Sequence, residues 1–190
     1  MKKLAKFLFE VGMLKRTPRS GLQFLGSGSE SVAEHTCRTI YIAFALAKMV
    51  DGVDESRLLK MCLFHDLVET RTGDLNYVNK KYVQSDEMRA MADICRPLPF
   101  GEEIESLFRE FNDKKTLESQ LANDADQLEL ILLLRECQDL GNKYSADWIP
   151  IAIKRLKTDA AIELAQAILR TDWSSWWFED DDETWWINGK

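Results

Sequence analysis

Apolar residues recur at spacings of three and four along almost all of this sequence, and no segment alternates apolar and polar residues as a half-buried strand would. The longest such run covers about 115–138. Another helix begins at Ser31, where Glu34 completes a capping-box pattern, and continues to about Met49. A third spans about 54–69 and ends before Thr72-Gly73-Asp74. The periodicity therefore predicts an all-α fold.

The remaining helical patterns extend the same architecture over a single domain. We expect short helices near 84–95 and 102–112 and two more between 144 and 170. The N-terminal residues predict an amphipathic helix, because Lys6 and Glu10 interrupt the apolar stretch that a signal peptide would need. Since no repeat or linker divides these segments, we expect one helical bundle over residues 1–171.

The C-terminal segment, residues 172–190, differs in composition from the rest and is not expected to form a domain by itself. It surrounds the acidic run from Glu179 to Glu183 with five of the six tryptophans: Trp173, Trp176, Trp177, Trp185 and Trp186. In one interpretation the rings pack over the protein's own helices while the acids stay in solvent. In another, the segment makes a dimer contact or covers an active site.

Charge and cysteine content exclude several classes of function. The net charge of −7 and the isoelectric point near 5.0, with no long basic run, argue against a general binder of nucleic-acid polymers or membrane surfaces. Four cysteines lie far apart within apolar helical patterns: Cys37, Cys62, Cys95 and Cys137. Such thiols are typical of a protein in a reducing cytoplasm.

The chain has only two histidines, and each stands beside an acid in a helical segment: Glu34-His35 and His65-Asp66. Both histidines fall on the apolar faces of their helices and therefore point inward. Asp66 lies about 100° around the helix from His65, near enough for both side chains to contact one ion. Histidine binds borderline metal ions and transfers protons near neutral pH. We therefore expect one site at which these residues meet.

A further metal ligand should come from a distant helix, because neighbouring residues cannot surround an ion. Asp126 shares its helix face with apolar residues, whereas Asp124 lies on a polar face. A buried carboxylate without a partner is costly, so Asp126 is the better candidate ligand and Asp124 is interpreted as a surface acid. Glu69 stands one helical turn beyond His65, along the same edge.

Several motifs resemble those of the HD-domain metal-dependent phosphohydrolases. The order His35, His65-Asp66 and Asp126 is similar to the H…HD…D pattern of that superfamily. More narrowly, three segments look like the 5′-deoxynucleotidase subgroup: residues 14–21 (LKRTPRSG), 30–35 (ESVAEH) and 65–75 (HDLVETRTGDL). The resemblance covers most of residues 1–170 and leaves out the tryptophan-rich tail.

The resemblance implies an all-helical HD fold, one divalent metal ion, and hydrolysis of deoxyribonucleoside 5′-monophosphates to nucleoside and phosphate, commonly by a homodimer. It implies as metal ligands His35, His65, Asp66 and Asp126. Arg16 matches an arginine that orients the phosphate, and Glu69 matches the catalytic glutamate. The candidate nucleoside contacts are Asp74, Leu75, Asn76 and Tyr77. Thr17 stands where a bacterial member has tryptophan, so we expect weak discrimination between deoxyribose and ribose.

The chemistry of the residues agrees with this interpretation. Two imidazoles and two carboxylates suit Mn²⁺, Co²⁺, Fe²⁺, Ni²⁺ or Zn²⁺, and the ligand set does not choose among these transition metals. A bound metal lowers the pKa of water from about 15.7 toward about 7. Arg16 can hold phosphoryl oxygens with a bidentate fork, and Glu69 can position the water or supply a proton. Lys15 and Arg19 are expected to stay in solvent.

Other functions remain to be weighed against this one. A guanosine tetraphosphate hydrolase would have aspartate where Thr70 follows Glu69. A two-metal phosphodiesterase generally recruits additional histidines, and this chain has none, although a carboxylate-rich binuclear site and a triphosphate substrate stay open. A nucleotide-binding regulator without turnover is compatible with the same motifs. The joint presence of four ligands, Arg16 and Glu69 favours an active, mononuclear hydrolase.

Overall fold

The helical periodicity of the sequence is expressed throughout the part of the chain that this computed structural model describes, residues 1–178 and 183–189. Two 3₁₀ turns, Gly12–Lys15 and Asn79–Lys81, accompany the α-helices. The helices are α1 (Lys2–Val11), α2 (Leu22–Leu25), α3 (Val32–Met49), α4 (Glu55–Phe64), α5 (Glu69–Thr72), α6 (Glu87–Cys95), α7 (Gly101–Asp113), α8 (Leu117–Asp139), α9 (Ser145–Ile153), α10 (Asp159–Arg170), α11 (Ser175–Phe178) and α12 (Glu183–Asn188). No strand occurs among the described residues, which confirms the all-α prediction.

Helix α8 lies at the centre of the bundle and packs against α3, α4, α7, α9 and α10. Its Leu121, Leu128 and Ile131 are fully buried, where they join Leu46 of α3 and Leu58 of α4 in one apolar cluster. Full burial of one such side chain stabilises a fold by roughly 1.5–3 kcal/mol. This cluster therefore fixes the relative positions of the three helices that carry the candidate ligands.

Side-chain caps set where the central helices begin. At α3 the predicted capping box is confirmed, because the Ser31 N–H donates to Glu34 Oε2 at 2.7 Å and the Glu34 N–H donates to Ser31 Oγ at 3.3 Å. Thr116 and Thr158 cap α8 and α10 in a related way. The cap at Ser31 fixes the register of α3, and thereby directs His35 into the core.

The helix predicted over 54–69 is divided in the structure. Helix α4 ends at Phe64, and the following turns use tighter bonds, from the Leu67 N–H to Phe64 O at 3.1 Å and from the Glu69 N–H to Asp66 O at 3.0 Å. His65 Nδ1 lies 2.7 Å from Cys62 O, the carbonyl that a continuous helix would offer to the next turn. This side-chain bond explains why the helix is interrupted at the histidine.

The segment before α3 is not a simple loop. Helix α2 interrupts it and ends at Gly26, whose φ of +67° places it in the left-handed region that favours glycine. An isolated antiparallel bridge joins Pro18 to Ser31, and the Arg19 N–H donates to Glu30 O at 2.8 Å. This pairing lays the segment around Arg19 across the beginning of α3, beside the candidate site.

The tail is helical where it is described. Trp173 and Trp176 each meet the Trp177 ring edge-on, with centroids 4.9 and 5.0 Å apart, and Trp176 is 82% exposed. Residues 179–182, most of the acidic run considered above, lie outside the described residues. Among the described helices, none combines the length and the apolar character that crossing a membrane requires.

Candidate metal centre and its cavity

Four side chains from three parts of the bundle converge on one point. His35 comes from α3, His65 and Asp66 from the turn after α4, and Asp126 from α8. His35 Nε2 lies 3.2 Å from His65 Nε2 and 3.2 Å from Asp126 Oδ1. Asp66 Oδ2 lies 3.2 Å from His65 Nε2 and 3.5 Å from His35 Nε2. The structure thus brings together all four ligands that the resemblance implied.

The donor set fits a divalent metal ion. His65 Nδ1 faces a carbonyl oxygen that can only accept, so this nitrogen carries the proton and Nε2 is left for an ion. His35 Nδ1 is likewise engaged, 2.6 Å from Glu129 Oε2. Ligand atoms around an ion with bonds of about 2.0–2.2 Å lie roughly 3.0–3.5 Å apart. The separations here match, and the facing lone pairs require a cation between them.

The charges of the neighbouring groups also favour a cation in this cluster. Burial and Arg19 lower the pKa of His35, but hydrogen bonds to Asp126 and Glu129 outweigh them and raise it to about 10. Burial alone would raise the pKa of Asp66, yet the two imidazoles and Arg19 hold it near 2. The carboxylates around the two imidazoles therefore favour a positive charge at this point, which a divalent metal ion would supply.

Glu129, which the sequence analysis missed, supports His35 from behind. Its side chain is fully buried, and its second oxygen accepts from Arg38 Nε at 3.0 Å and Nη2 at 2.7 Å. Arg38 Nη1 also donates to Glu136 Oε1 at 2.6 Å. Burial raises the pKa of Glu129, but His35 and Arg38 lower it to about 2. A lone acid inside the apolar run 128–134 (LELILLL) was the available signal.

Glu69 lies in the cavity that opens above Asp66 and Asp126. Its Oε2 is buried and has no hydrogen-bond partner among the described residues. Burial raises the pKa of Glu69 to about 9, with further contributions from the negative charges of Asp66 and Asp74. The group is therefore a protonated carboxylic acid at neutral pH, aimed at the space beside the candidate ligands.

The expectation that Arg19 would stay in solvent is wrong. Its side chain is only 16% exposed and lines the cavity, with Nη1 3.7 Å from Asp66 Oδ2 and Nε 3.8 Å from Glu30 Oε2. Burial opposes its charge, but the nearby Asp66 and Asp126 carboxylates raise the pKa of Arg19 further above its usual range. Lys15, in contrast, is exposed as expected.

Arg16 and Thr17 lie outside this cavity. Arg16 follows a 3₁₀ turn and folds back on it, with Nη1 3.8 Å from Met13 Sδ, and Thr17 Oγ1 donates to Met13 O at 3.2 Å. Both residues line a shallow outer depression next to Glu34. The backbone turns inward only at the bridge to Ser31, so the structure does not bring the expected phosphate-binding arginine to the ligands.

The segment from Asp74 to Tyr77 forms one rim of the cavity, which each of its residues lines. Asp74 Oδ2 accepts from the Ser20 N–H at 2.7 Å, which ties the rim to the segment that carries Arg19. Asn76 is buried, and its Oδ1 caps the turn by accepting from the N–H groups of residues 78 and 79. Tyr77 contacts Arg155, which lies over its ring at 4.4 Å and donates to its hydroxyl.

The interpretation of Asp124 as a surface acid is wrong. The residue is fully buried and accepts four hydrogen bonds: Oδ1 from the Lys157 N–H at 2.7 Å and from Asn123 Nδ2 at 3.2 Å, Oδ2 from the Thr158 N–H at 2.9 Å and from Thr158 Oγ1 at 2.8 Å. The donors of Lys157 and Thr158 stand at the start of α10. The polar face of α8 is covered by that helix terminus, which helical periodicity does not reveal.

Part of the cavity wall is apolar. Leucines of α2 and α8 and the indole of Trp148 on α9 form it: Leu22, Leu25, Leu130, Leu133 and Trp148. Gln127 separates this wall from Asp126 and donates to Asp126 Oδ2 at 2.8 Å. Sequence reasoning did not single out these residues, because apolar side chains at helical spacing are the ordinary signal of a core.

Comparisons with known proteins agree with this geometry. The HD domain family matches residues 11–168. The chain is 32% identical to the 5′-deoxynucleotidase HDDC2 of Mus musculus over 74% of this chain and 72% of that protein, and 33% identical to its namesake from Dictyostelium discoideum over 70% and 76%. A conserved hypothetical protein from Pyrococcus furiosus superposes with a TM-score of 0.74 at 30% identity, over 88% of this chain and 99% of that one. The chain belongs to the HD domain family.

Proposed function

We propose that this protein is a metal-dependent phosphomonoesterase that hydrolyses (deoxy)nucleoside 5′-monophosphates to nucleoside and phosphate. The observation that carries the proposal is a cluster of four side chains able to hold a metal ion, of which Asp66 and Asp126 line one cavity together with a protonated Glu69 and the Arg19 cation. The relatives named 5′-deoxynucleotidase support the class of substrate. In this proposal residues 1–171 form the hydrolase domain and residues 172–190 an appendage.

One divalent ion of the Mn, Co, Fe, Ni or Zn type would be held by His35, His65, Asp66 and Asp126. When bound, the ion supplies Lewis acidity toward phosphate oxygens and lowers the pKa of water toward about 7. The protein keeps both Nε2 atoms available for it, because Glu129 and Cys62 O engage the Nδ1 atoms.

Arg19 takes the phosphate contact that the resemblance assigned to Arg16. It borders the ligand Asp66 and lines the cavity, whereas Arg16 is exposed on the outer surface. A guanidinium binds two phosphoryl oxygens at once and offsets the charge that develops on them as the bond to phosphorus breaks. Lys80 is the other cation that lines the cavity among the described residues.

Glu69 supplies the proton that the departing 5′-oxygen needs when the P–O bond breaks. Its carboxyl group is protonated at neutral pH, and its Oε2 engages no other group among the described residues, so the proton can be donated toward the cavity. The rim from Asp74 to Tyr77 lies next to Glu69 and contacts the nucleoside. The oxygen of a water molecule bonds to phosphorus in place of the 5′-oxygen, and the proton that this water releases restores the protonated form of Glu69.

Thr17 bears on the choice of sugar. It lies outside the cavity, so a side chain that would exclude a ribose 2′-hydroxyl is not supplied from this position. We propose weak discrimination between deoxyribose and ribose. Rates on paired substrates such as dAMP and AMP measure it, and a strong preference for dAMP would contradict this part of the proposal.

We also propose that the enzyme is a cytoplasmic homodimer. Four free cysteines support a reducing compartment, and large apolar side chains such as Phe9 (82% exposed) and Tyr41 (73% exposed) lie on the outer surface of this chain. Light scattering coupled to size-exclusion chromatography tests the dimer, and a monomeric mass across a concentration series would refute it.

A substrate screen tests the central proposal. Metal-reconstituted protein is offered deoxy- and ribonucleoside mono-, di- and triphosphates, and phosphate, pyrophosphate and nucleoside are measured separately. We expect nucleoside and phosphate in equal amounts from monophosphates. Release of pyrophosphate or tripolyphosphate would instead indicate a hydrolase of another nucleotide class.

Glu69→Gln separates an enzyme from a binding protein. The amide keeps the shape of the side chain but cannot donate a carboxylic proton, so turnover should fall roughly 10²–10⁴-fold. Metal content and nucleotide affinity should stay within a few fold of the unsubstituted protein. If the variant retained full turnover with metal bound, the role of Glu69 as proton donor would be wrong.

A further inference from the structure

The apolar wall of the metal cavity continues into a second recess. Tyr77, Leu130 and Trp148 line both spaces, and Ile151, Ala152 and Arg155 complete the second one. The two spaces therefore form one groove, with carboxyl groups at one end and apolar side chains at the other. The three shared residues lie where the polar end of the groove meets the apolar end.

The distances along α8 match the shape of a nucleotide. Leu130 follows Asp126 by four residues, roughly 6 Å along the helix axis, so the apolar surface begins one turn away from a metal ligand. A phosphate held beside Asp126 directs its ester substituent into the rest of the cavity. The sugar then passes the polar rim at Asp74, and whatever the sugar carries reaches the apolar wall.

Trp148 is held in place on one side and open on the other. Its ring packs against the apolar cluster that includes Leu22, Leu25 and Ile149. It also lies so close to Gly21 that a methyl group added there would be 3.7 Å from it. The indole is nevertheless only partly buried and contributes to both recesses. A ring anchored in this way offers a flat, rigid surface at little entropic cost to a ligand.

We propose that Trp148 is the nucleobase-binding residue of this cavity, with the base stacked on its indole ring and Leu130 beside it. The inference rests on the proposed function and deepens it, because it selects phosphomonoesters that carry a planar aromatic group over sugar phosphates of the same size. Stacking on an aromatic ring contributes comparable binding to every base, since each has a π face. The contact between Tyr77 and Arg155 lies at the edge of the second recess.

A matched pair of substrates tests the proposal. The Trp148→Ala variant and the unsubstituted protein are assayed on dAMP and on 2-deoxyribose 5-phosphate, which has the same phosphate and sugar but no base. We expect the KM for dAMP to rise roughly 5- to 150-fold with little change in kcat, because stacking is uniform binding. The kinetics on 2-deoxyribose 5-phosphate should be unchanged.

Two further variants at the same position and one elsewhere act as controls. Trp148→Phe retains an aromatic face and should keep the KM for dAMP within about threefold, whereas Trp148→Leu retains apolar bulk and should behave like the alanine variant. Trp173→Ala removes an indole outside the groove and should leave both substrates unaffected. Equal losses on both substrates, or a leucine variant as good as phenylalanine, would overturn the stacking contact.

A binding measurement separates failure of this inference from failure of the proposed function. If neither phosphomonoester is hydrolysed by the unsubstituted protein, the proposed function is wrong, and equilibrium dialysis with deoxyadenosine then decides the inference. Binding that is lost in Trp148→Ala and kept in Trp148→Phe supports the base site. Absence of binding to the unsubstituted protein, or equal binding to all variants, refutes it.

Discussion

Helix α8 carries two aspartates that are only two residues apart in sequence but lie on different faces, and their carboxylates have different surroundings. The α10 face carries Asp124, which is fully buried and accepts from backbone and side-chain donors at the start of α10. The site face carries Asp126, whose side chain is 23% exposed to the cavity and lies 3.2 Å from His35 Nε2. Both are aspartates on one helix, yet one joins helices and the other faces a ligand site.

The difference lies in what surrounds each carboxylate. All partners of Asp124 are donors, so its lone pairs are satisfied and no further cation is required. Around Asp126, Gln127 Nε2 donates to Oδ2, but Oδ1 faces His35 Nε2, beside a second imidazole nitrogen and the Asp66 carboxylate. Acceptor atoms packed this closely are stable only with a proton or a metal ion between them. Donors of the protein alone satisfy Asp124, whereas the cluster around Asp126 also needs a proton or a metal ion.

The largest effect is expected from Asp126→Asn on the site face. The substitution removes a charged ligand, so metal affinity should fall by more than the roughly 10–100-fold typical of removing a group that only supports a ligand. Phosphate release should fall with it. Metal content by elemental analysis and phosphate release measure the loss. If the variant retained its full metal content, Asp126 would not be a ligand and the two faces would not differ in this way.

Asp124→Asn, the matched substitution on the α10 face, should show the reverse pattern. The amide directs an NH₂ group at donors that the carboxylate now satisfies, and hydrogen bonds to a charged group contribute roughly 1.5–3 kcal/mol each. We expect the free energy of unfolding to drop by about 3 kcal/mol, with metal stoichiometry unchanged. Loss of metal at full stability would show that the two faces are not distinct.

The fold was accessible from the sequence because local signals and tertiary packing agree. Helical periodicity and the Ser31 cap predicted α3, and the apolar run before Cys137 predicted α8. The interruption at His65 was missed, since it arises from a bond between that side chain and Cys62 O rather than from a helix-breaking residue. Periodicity shows which residues face inward, but not where a side chain competes for a carbonyl.

The site was accessible only in part. His35, His65, Asp66 and Asp126 do meet, as their inward faces and the family motifs suggested. Asp124 and Arg19 were assigned to solvent because the sequence does not show what covers a polar face or where an extended segment crosses it. Their partners lie more than 30 residues away, at Lys157 and Asp66, and a helical wheel contains no information at that separation.

Glu129→Gln tests the support that Glu129 gives to His35. Glu129 does not line the metal cavity, so its contribution passes through His35, and metal affinity should fall roughly 10–100-fold. Competition with a chelator measures the affinity, and the visible spectrum of the Co²⁺ form reports whether the ligand geometry has changed. Glu136→Gln is the control. Glu136 reaches Glu129 only through Arg38, so its substitution should have a smaller effect. Equal effects would indicate general loosening of the helix.

Glu69 provides a further carboxyl group in the cavity, and its buried Oε2 has no hydrogen-bond partner among the described residues. Because its pKa in the folded protein is about 9 against an ordinary value of 4.5, its bound proton stabilises the fold fully below about pH 4.5, and that stability is lost as the pH rises toward 9. Metal-free Glu69→Gln should therefore gain about 2 kcal/mol on the unsubstituted protein between pH 5 and pH 6.5. Urea unfolding at the two pH values measures this, and a pH-independent difference would contradict it.

Thr158→Ala should have the smallest effect and tests the origin of the stability on the α10 face. Thr158 caps α10 and also donates to Asp124 Oδ2 at 2.8 Å, so its loss should cost about 1 kcal/mol. In a double-mutant cycle with Asp124→Asn the two losses should be non-additive by 0.5 kcal/mol or more, because the residues share hydrogen bonds. With Asp126→Asn, which has no contact with Thr158, the losses should add. Coupling to Asp126 as strong as to Asp124 would mean that α8 responds as a unit, and the two faces would then have no separate roles.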